Sequence, residues 1–141
     1  MDANLLAERV AQEMLAGEGT GPAWGIRIEE AREGYARISM VVRADMLNSH
    51  GIAHGGMIFA LADTAFAYVC NGKNERTVAA QASIVFLDAA KEGEVLIAEA
   101  EEVSRVGRSG VTRVTVKGGD GRPIAEFTGY SRTIGGAIVE I

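Results

Sequence analysis

Apolar and polar positions alternate strictly near residue 40. Ala36, Ile38, Met40 and Val42 interleave with Tyr35, Arg37, Ser39 and Arg43. A period of two predicts a strand with one face buried. A partner strand over Trp24–Ala31 would reach it through Arg32-Glu33-Gly34. Residues 2–16 keep a different period, with Leu6, Val10 and Met14 four apart, Asp2 placed to cap and Gly17 to stop. That spacing predicts a packing helix, followed by a loop over Gly17–Pro22. Beyond it, Gly55 to Asn71 reads as a helix and Val78–Leu87 as a nearly all-apolar strand. Glu94–Val103 sets Leu96, Ala98 and Ala100 against Glu99 and Glu101. Val111–Lys117 and Pro123–Thr133 complete the strands, joined by a turn over Gly118-Gly119-Asp120-Gly121 that suits positive φ.

These elements predict an α+β fold: an antiparallel sheet wrapped around one central helix. Met57, Ile58, Phe59, Leu61, Phe66, Tyr68 and Val69 cover every side of that helix, so it should be buried rather than lie on a surface. The chain of 141 residues fits a single domain, 1–141, with no repeat or linker. Its net charge of −5 argues against a nucleic-acid partner but leaves room for a local site for one small phosphate ligand. The lone Cys70 forbids an intrachain disulfide, and with two histidines a multi-ligand metal site is not expected. The run Met57–Cys70 is too short and too polar at Asp63 to span a bilayer. The first residues lack a basic-then-apolar leader pattern, so a cytoplasmic protein is expected.

Asp63 contradicts its setting. Its helical neighbours are Phe59, Ala60, Phe66 and Ala67, and a carboxylate among them loses hydration unless something pairs with it. It is either satisfied by nearby backbone or poised as a base or nucleophile in an apolar cleft. At the helix entrance stand His54, Gly55 and Gly56. Free N–H groups at a helix start suit a developing oxyanion, although Gly-Gly also fits an ordinary turn. Asn48, six residues earlier, could hold a carbonyl or a water, or simply serve its turn. His54 is favoured over His50 for its place at the helix start. Asp63 lies eight residues past Gly55, which is ~12 Å along one helix. Both groups cannot serve one carbonyl from the same chain. Two antiparallel copies bring Gly55 of one to Asp63 of the other, so the active unit should be at least a dimer.

The segment Asn48 to His54-Gly55-Gly56-Met57-Ile58-Phe59-Ala60-Leu61-Ala62-Asp63-Thr64-Ala65-Phe66-Ala67 resembles the signature of hotdog-fold acyl-CoA thioesterases of the PaaI type, the phenylacetic acid degradation branch. The likeness runs from about Leu47 to the closing Ser131-Arg132-Thr133-Ile134-Gly135. It implies dimers paired into a homotetramer, and hydrolysis of aryl-acetyl-CoA or hydroxyaryl-acetyl-CoA with no metal or cofactor. It implies that Asp63 activates water or attacks the thioester, and that Gly55 N–H polarises the carbonyl with help from His54. It further implies that Asn48 places the acyl group or the water, and that Thr64 belongs to the same motif. The chain departs from the family at Asp88, where relatives often carry Arg-Pro, and at Ala79, where some hold a water with Ser. The turn of Arg105, Gly107, Arg108 and Ser109 is a candidate for the CoA phosphates, or a solvated hairpin. Trp24, Phe59, Phe66 and Tyr68 are candidates for the pocket lining or for plain core. A non-catalytic acyl-CoA-binding protein on the same scaffold is the competing reading. A hydratase is a weaker one, because it wants its Asp and His closer together than Asp63 and His54.

Overall fold

The computed structural model describes residues 1–141. Helix α1 spans Ala3–Gly17 and starts where the Asp2 carboxylate accepts the Asn4 N–H at 2.7 Å. Its apolar stripe buries Ala7, Val10 and Ala11. The next segment corrects the expected loop. Thr20–Trp24 forms a short helix, α2, closed by Gly25 at φ 67°. Pro22 fits there because first-turn N–H groups have no helical acceptor to lose. Trp24 therefore belongs to α2, and the first strand starts later than its apolar pattern suggested.

Strands β1 (Arg27–Arg32), β2 (Tyr35–Val41), β3 (Thr77–Phe86), β4 (Val95–Val106), β5 (Ser109–Gly118) and β6 (Pro123–Thr133) form one sheet in the order β1-β2-β4-β5-β6-β3. Every pairing is antiparallel. The register lines up inward residues across strands: Ala36 opposes Ala100, Val114 opposes Ala100 and Phe127, and Phe127 opposes Ile84. The opposite face carries Arg37, Glu99, Thr115 and Glu126 in one polar row.

Helix α3, Gly55–Cys70, lies on the apolar face and buries Ile58, Leu61, Ala62, Ala65 and Phe66. A Cβ at Gly129 would come within 2.8 Å of the Phe66 ring, so only glycine lets β6 approach that closely. The expectation that α3 is covered all round needs correction. Phe59, Ala60, Asp63, Thr64 and Ala67 are only half-buried, and Gly56 is exposed. One chain's sheet covers one side of the helix and leaves this stripe open.

The open stripe adjoins an open edge. β3 is the last strand of the sheet, and Val85, Phe86 and Leu87 are 60, 51 and 52% exposed there. α3 and β3 run side by side in opposite directions. Gly55 packs against Phe86 at one end, while the Asn71 amide bonds both the N–H and the C=O of Thr77 at the other. Past β6, the chain returns to this far end. Asn74, at φ 65°, accepts from the N–H groups of Ile138 and Val139 and donates to the Val139 carbonyl.

Candidate active site

The entrance of α3 is built by its cap. The His54 Nδ1 accepts the Gly56 N–H at 2.9 Å, and the His54 carbonyl accepts the Met57 N–H at 2.9 Å. A neutral imidazole that accepts at Nδ1 carries its proton on Nε2, so His54 keeps one donor for another molecule. Gly55 opens the helix, and its N–H finds no acceptor within the chain. That donor carries the partial positive charge of the helix start.

Asn48 approaches from the preceding loop. Its Oδ1 accepts the N–H groups of His50 and Ile52 at 2.9 and 3.3 Å, and its Nδ2 has no partner in the chain. The amide therefore holds its own turn with one end and offers a donor with the other. Asn48, Gly55, Ile52, Ile58, Phe86 and Leu87 line a cleft of about 400 Å³. A Cβ on residue 55 would stand 3.0 Å from Phe86 Cζ, so glycine is what lets the Phe86 ring lie this close to the helix start. His50 and His54 are both exposed and neither lines the cleft, so His54 borders it only through its neighbour Gly55.

Asp63 lies two turns deeper, on the open stripe. Its carboxylate makes neither an ion pair nor a hydrogen bond to a protein donor, and burial raises it above its ordinary value of 3.8. An unpaired carboxylate in partial burial is a better base than one in water. The Thr64 hydroxyl donates to the Ala60 carbonyl at 2.7 Å and keeps its acceptor capacity. The Cys70 thiol is pushed up to about 12, first by burial and then by the charge of Asp63, so it stays protonated and is no nucleophile at neutral pH.

The structure brings Asn48 and Gly55 together in the cleft, with His54 at its margin and Asp63 and Thr64 further along the same helix. Arg105, Arg108 and Ser109 lie elsewhere. They form the β4–β5 hairpin at the Thr77 end of the sheet, where Ser109 opposes Arg132. Within one chain that end is roughly 26 Å from Gly55, at the rise of a strand. Arg105 turns inward, donating to Thr133 Oγ1 at 2.8 Å and approaching Glu75 at 3.9 Å, whereas Arg108 is exposed. Asp88 pairs with Arg122 at 2.8 Å on the rim of the cleft, and Ala79 opposes Ser131 across β3 and β6.

Phe86 is the aromatic residue that sequence reasoning missed. Its signal was the β3 alternation, which puts it on the helix-facing side with Ala82 and Ile84. Of the aromatic candidates, Phe66 and Tyr68 are core, and Phe59 packs edge-on against Phe127 at 5.3 Å. Trp24, on α2, is half-buried against the core and outside the cleft.

A six-stranded antiparallel sheet backed by one long helix defines the hotdog fold, and here that helix carries an unpaired carboxylate and an open donor at its start. The model of the thioesterase superfamily matches residues 50–125. The chain belongs to that superfamily, in its PaaI-type branch. It is 38% identical over 128 residues to the acyl-coenzyme A thioesterase PaaI of Escherichia coli K12, covering 91% of each chain. The solved structure of the E. coli PaaI protein from the phenylacetic acid degradation operon superposes with a TM-score of 0.94 at 36% identity, covering 96% of this chain and 99% of that one. A hypothetical thioesterase from Streptococcus pneumoniae TIGR4, solved with coenzyme A, superposes at 0.77 with 29% identity, covering 79% of this chain and 90% of that one. No group of three or more His, Cys, Asp or Glu side chains is arranged to hold a metal ion, and no helix is long and apolar enough to cross a membrane.

Proposed function

We propose that this protein is an acyl-CoA thioesterase that hydrolyses aryl-acetyl-CoA or hydroxyaryl-acetyl-CoA esters to free acid and CoA, at sites shared between two copies. The observation that carries the reading is the pair of unsatisfied groups on one rigid helix. The Gly55 N–H lacks an acceptor, the Asp63 carboxylate lacks a donor, and ~12 Å of helix separates them. Antiparallel docking of two α3 helices along their open stripes closes that gap twice. The exposed edge of β3 beside the stripe supports the same contact.

The thioester carbonyl would lie at Gly55 N–H, where the helix start stabilises the oxyanion, with His54 Nε2–H as a second donor. Asp63 of the second copy then takes a proton from water as its oxygen bonds to the carbonyl carbon. The C–S bond breaks, and the proton passes to the departing thiolate. Direct attack by the carboxylate, followed by hydrolysis of the mixed anhydride, gives the same products. Asn48 Nδ2 steadies the acyl oxygen or the water, and Thr64 adds a polar edge beside Asp63. The E. coli relative named for this activity and the CoA-bound streptococcal neighbour support the substrate class. The reaction as drawn needs no cofactor, since CoA arrives within the substrate. We place it in the cytoplasm, in dimers that pair into a homotetramer.

The test is a panel of aryl-acetyl, hydroxyaryl-acetyl and straight-chain CoA esters, scored by free-thiol release. Preferential turnover of the aryl-acetyl members is expected. Binding of these esters without thiol release would make the protein a carrier or sensor instead.

A further inference from the structure

We infer that Arg122 is a positioning residue: its guanidinium ties the wall of the cleft at residues 87–90 to the β5–β6 turn and, through Ala90, steadies the loop that presents the Gly55 N–H. The inference rests on the thioesterase reading of the cleft and deepens it. Residues 87–94 join β3 to β4 without helix or strand, and Leu87, Asp88 and Ala89 line the cleft. This wall has few apolar anchors. Leu87 is half-exposed, Ala89 is small, and only Ala90 is fully buried. Its backbone is held at the two ends, where the Ile124 carbonyl accepts the Leu87 N–H and the Val42 carbonyl accepts the Gly93 N–H, both at 2.8 Å. Between those ends the partner is Arg122.

Arg122 is itself fixed by the turn. Its carbonyl accepts the Gly118 N–H at 2.9 Å, and its N–H donates to Asp120 Oδ1 at 3.0 Å. From that base the planar fork reaches four residues. Nε pairs with Asp88 Oδ2 at 2.8 Å. Nη2 donates to the Ala89 carbonyl at 2.8 Å and to the Glu94 carboxylate at 3.1 Å, and Nη1 donates to Asp120 Oδ2 at 3.0 Å. Asp88 Oδ1 meanwhile accepts the Ala89 N–H at 2.8 Å, and Glu94 accepts the Lys91 N–H at 3.1 Å. One cation thus holds the middle of the wall and its far end together.

The next residue carries the constraint to the helix start. The Ala90 carbonyl accepts the Ala53 N–H at 2.8 Å, two residues before Gly55. Ala53 and Ala90 are both buried, and close packing makes a shift of one move the other. Stability is not what the cluster adds. Asp88 and Asp120 are largely exposed and Arg122 is partly so, and pairs in such settings contribute little to folding. Its effect is geometric. Without the cation, the Ala89 carbonyl loses its donor and Asp88, Glu94 and Asp120 repel one another. A displacement of ~1 Å in a group that acts on the reacting centre can cost about a hundredfold in rate.

The test uses full-length Arg122→Gln and Arg122→Lys with the best ester from the panel. Amide exchange, thiol release and urea unfolding are measured on each. Arg122→Gln should speed exchange of the Ala53 N–H about tenfold or more and lower kcat about tenfold or more, with KM and the urea midpoint close to wild type. Arg122→Lys keeps the charge but offers no planar fork to Asp88 and the Ala89 carbonyl together, so its kcat should stay low. Wild-type kcat in either variant overturns the role. So does a lowered kcat that comes with a lowered urea midpoint and faster exchange throughout the chain, since that is a general loss of stability. Failure of the enzymatic reading looks different, because the wild-type protein would then release thiol from no ester. Exchange at Ala53 still judges the tether in that case, and an unchanged rate in Arg122→Gln overturns it.

Discussion

Replacing Asp63 by Asn removes one charge and almost no volume, so it separates chemistry from packing. The carboxylate is half-buried on α3 with no protein donor to satisfy it, and burial has raised it above 3.8. A folded-state value above the unfolded one means the protonated form is favoured by folding. That contribution is fully present below the ordinary carboxylate value and is lost as pH rises through the folded value. At neutral pH the wild-type protein therefore carries an unfavourable charge that Asp63→Asn lacks. Partial exposure screens the effect, so the gain in the variant is small. Loss of a positioned base should lower kcat by about 10²–10⁴, or ~3–5 kcal/mol in the barrier. Thiol-release kinetics and thermal unfolding from pH 3 to 8 measure both sides. The expected pattern is a variant that is nearly inactive yet melts at or above the wild-type temperature at pH 7. The two melting temperatures should converge at the acid end. The wild-type rate should climb with pH through an apparent value above 3.8, and the variant should lose that limb. A variant that keeps its activity, or one that melts well below wild type at pH 7, would refute the reasoning.

His54 caps α3, and the proposed reaction gives it a second job that substitution can split from the first. His54→Ala should cost about 1 kcal/mol through loss of the cap on Gly56 N–H, seen in chemical denaturation. His54→Asn should recover the stability but not the ~10²-fold of turnover supplied by the Nε2 donor; recovery of both would reduce His54 to a cap. Gly129→Ala would drive a methyl into the Phe66 ring, 2.8 Å away, and should cost about 1–3 kcal/mol. A urea midpoint that does not move would show that α3 and β6 have slack between them.

Much of the architecture could be read from periodicity alone. The two-residue alternation in Tyr35–Val41 and the alanine–glutamate alternation in Val95–Val106 both mark strands whose registers put Ala36 and Ala100 face to face. The Gly55–Cys70 helix was equally plain. Its covering was not, because a pattern of residue types shows that a helix avoids water without showing whose sheet covers it. Gly17–Pro22 misled because glycine and proline usually break helices: Gly17 does end α1, yet Gly19, Gly21 and Pro22 lie at the cap or in the first turn of a five-residue helix. At the site, Asp63 was legible as a charge out of place and Gly55 as a helix start. Phe86 was not, since strand alternation gives a face but not the helix end lying against it. The hairpin cations show a similar limit. Arg105 and Arg108 look alike in sequence, but one guanidinium is spent on Thr133 and the other is free.

If the proposed dimer forms across it, the bare flank of β3 ties the protein's life to mass action. A strand that ends a sheet offers its amides and carbonyls to whichever chain arrives first. In the proposed dimer a matching copy would hide Val85 and Phe86, whereas a mismatched strand would begin an aggregate. Dilution of such a dimer would remove more than catalytic output, because folding free energy drawn from association falls as chains become scarce. A freshly synthesised copy would then be most vulnerable in the interval before it meets its double.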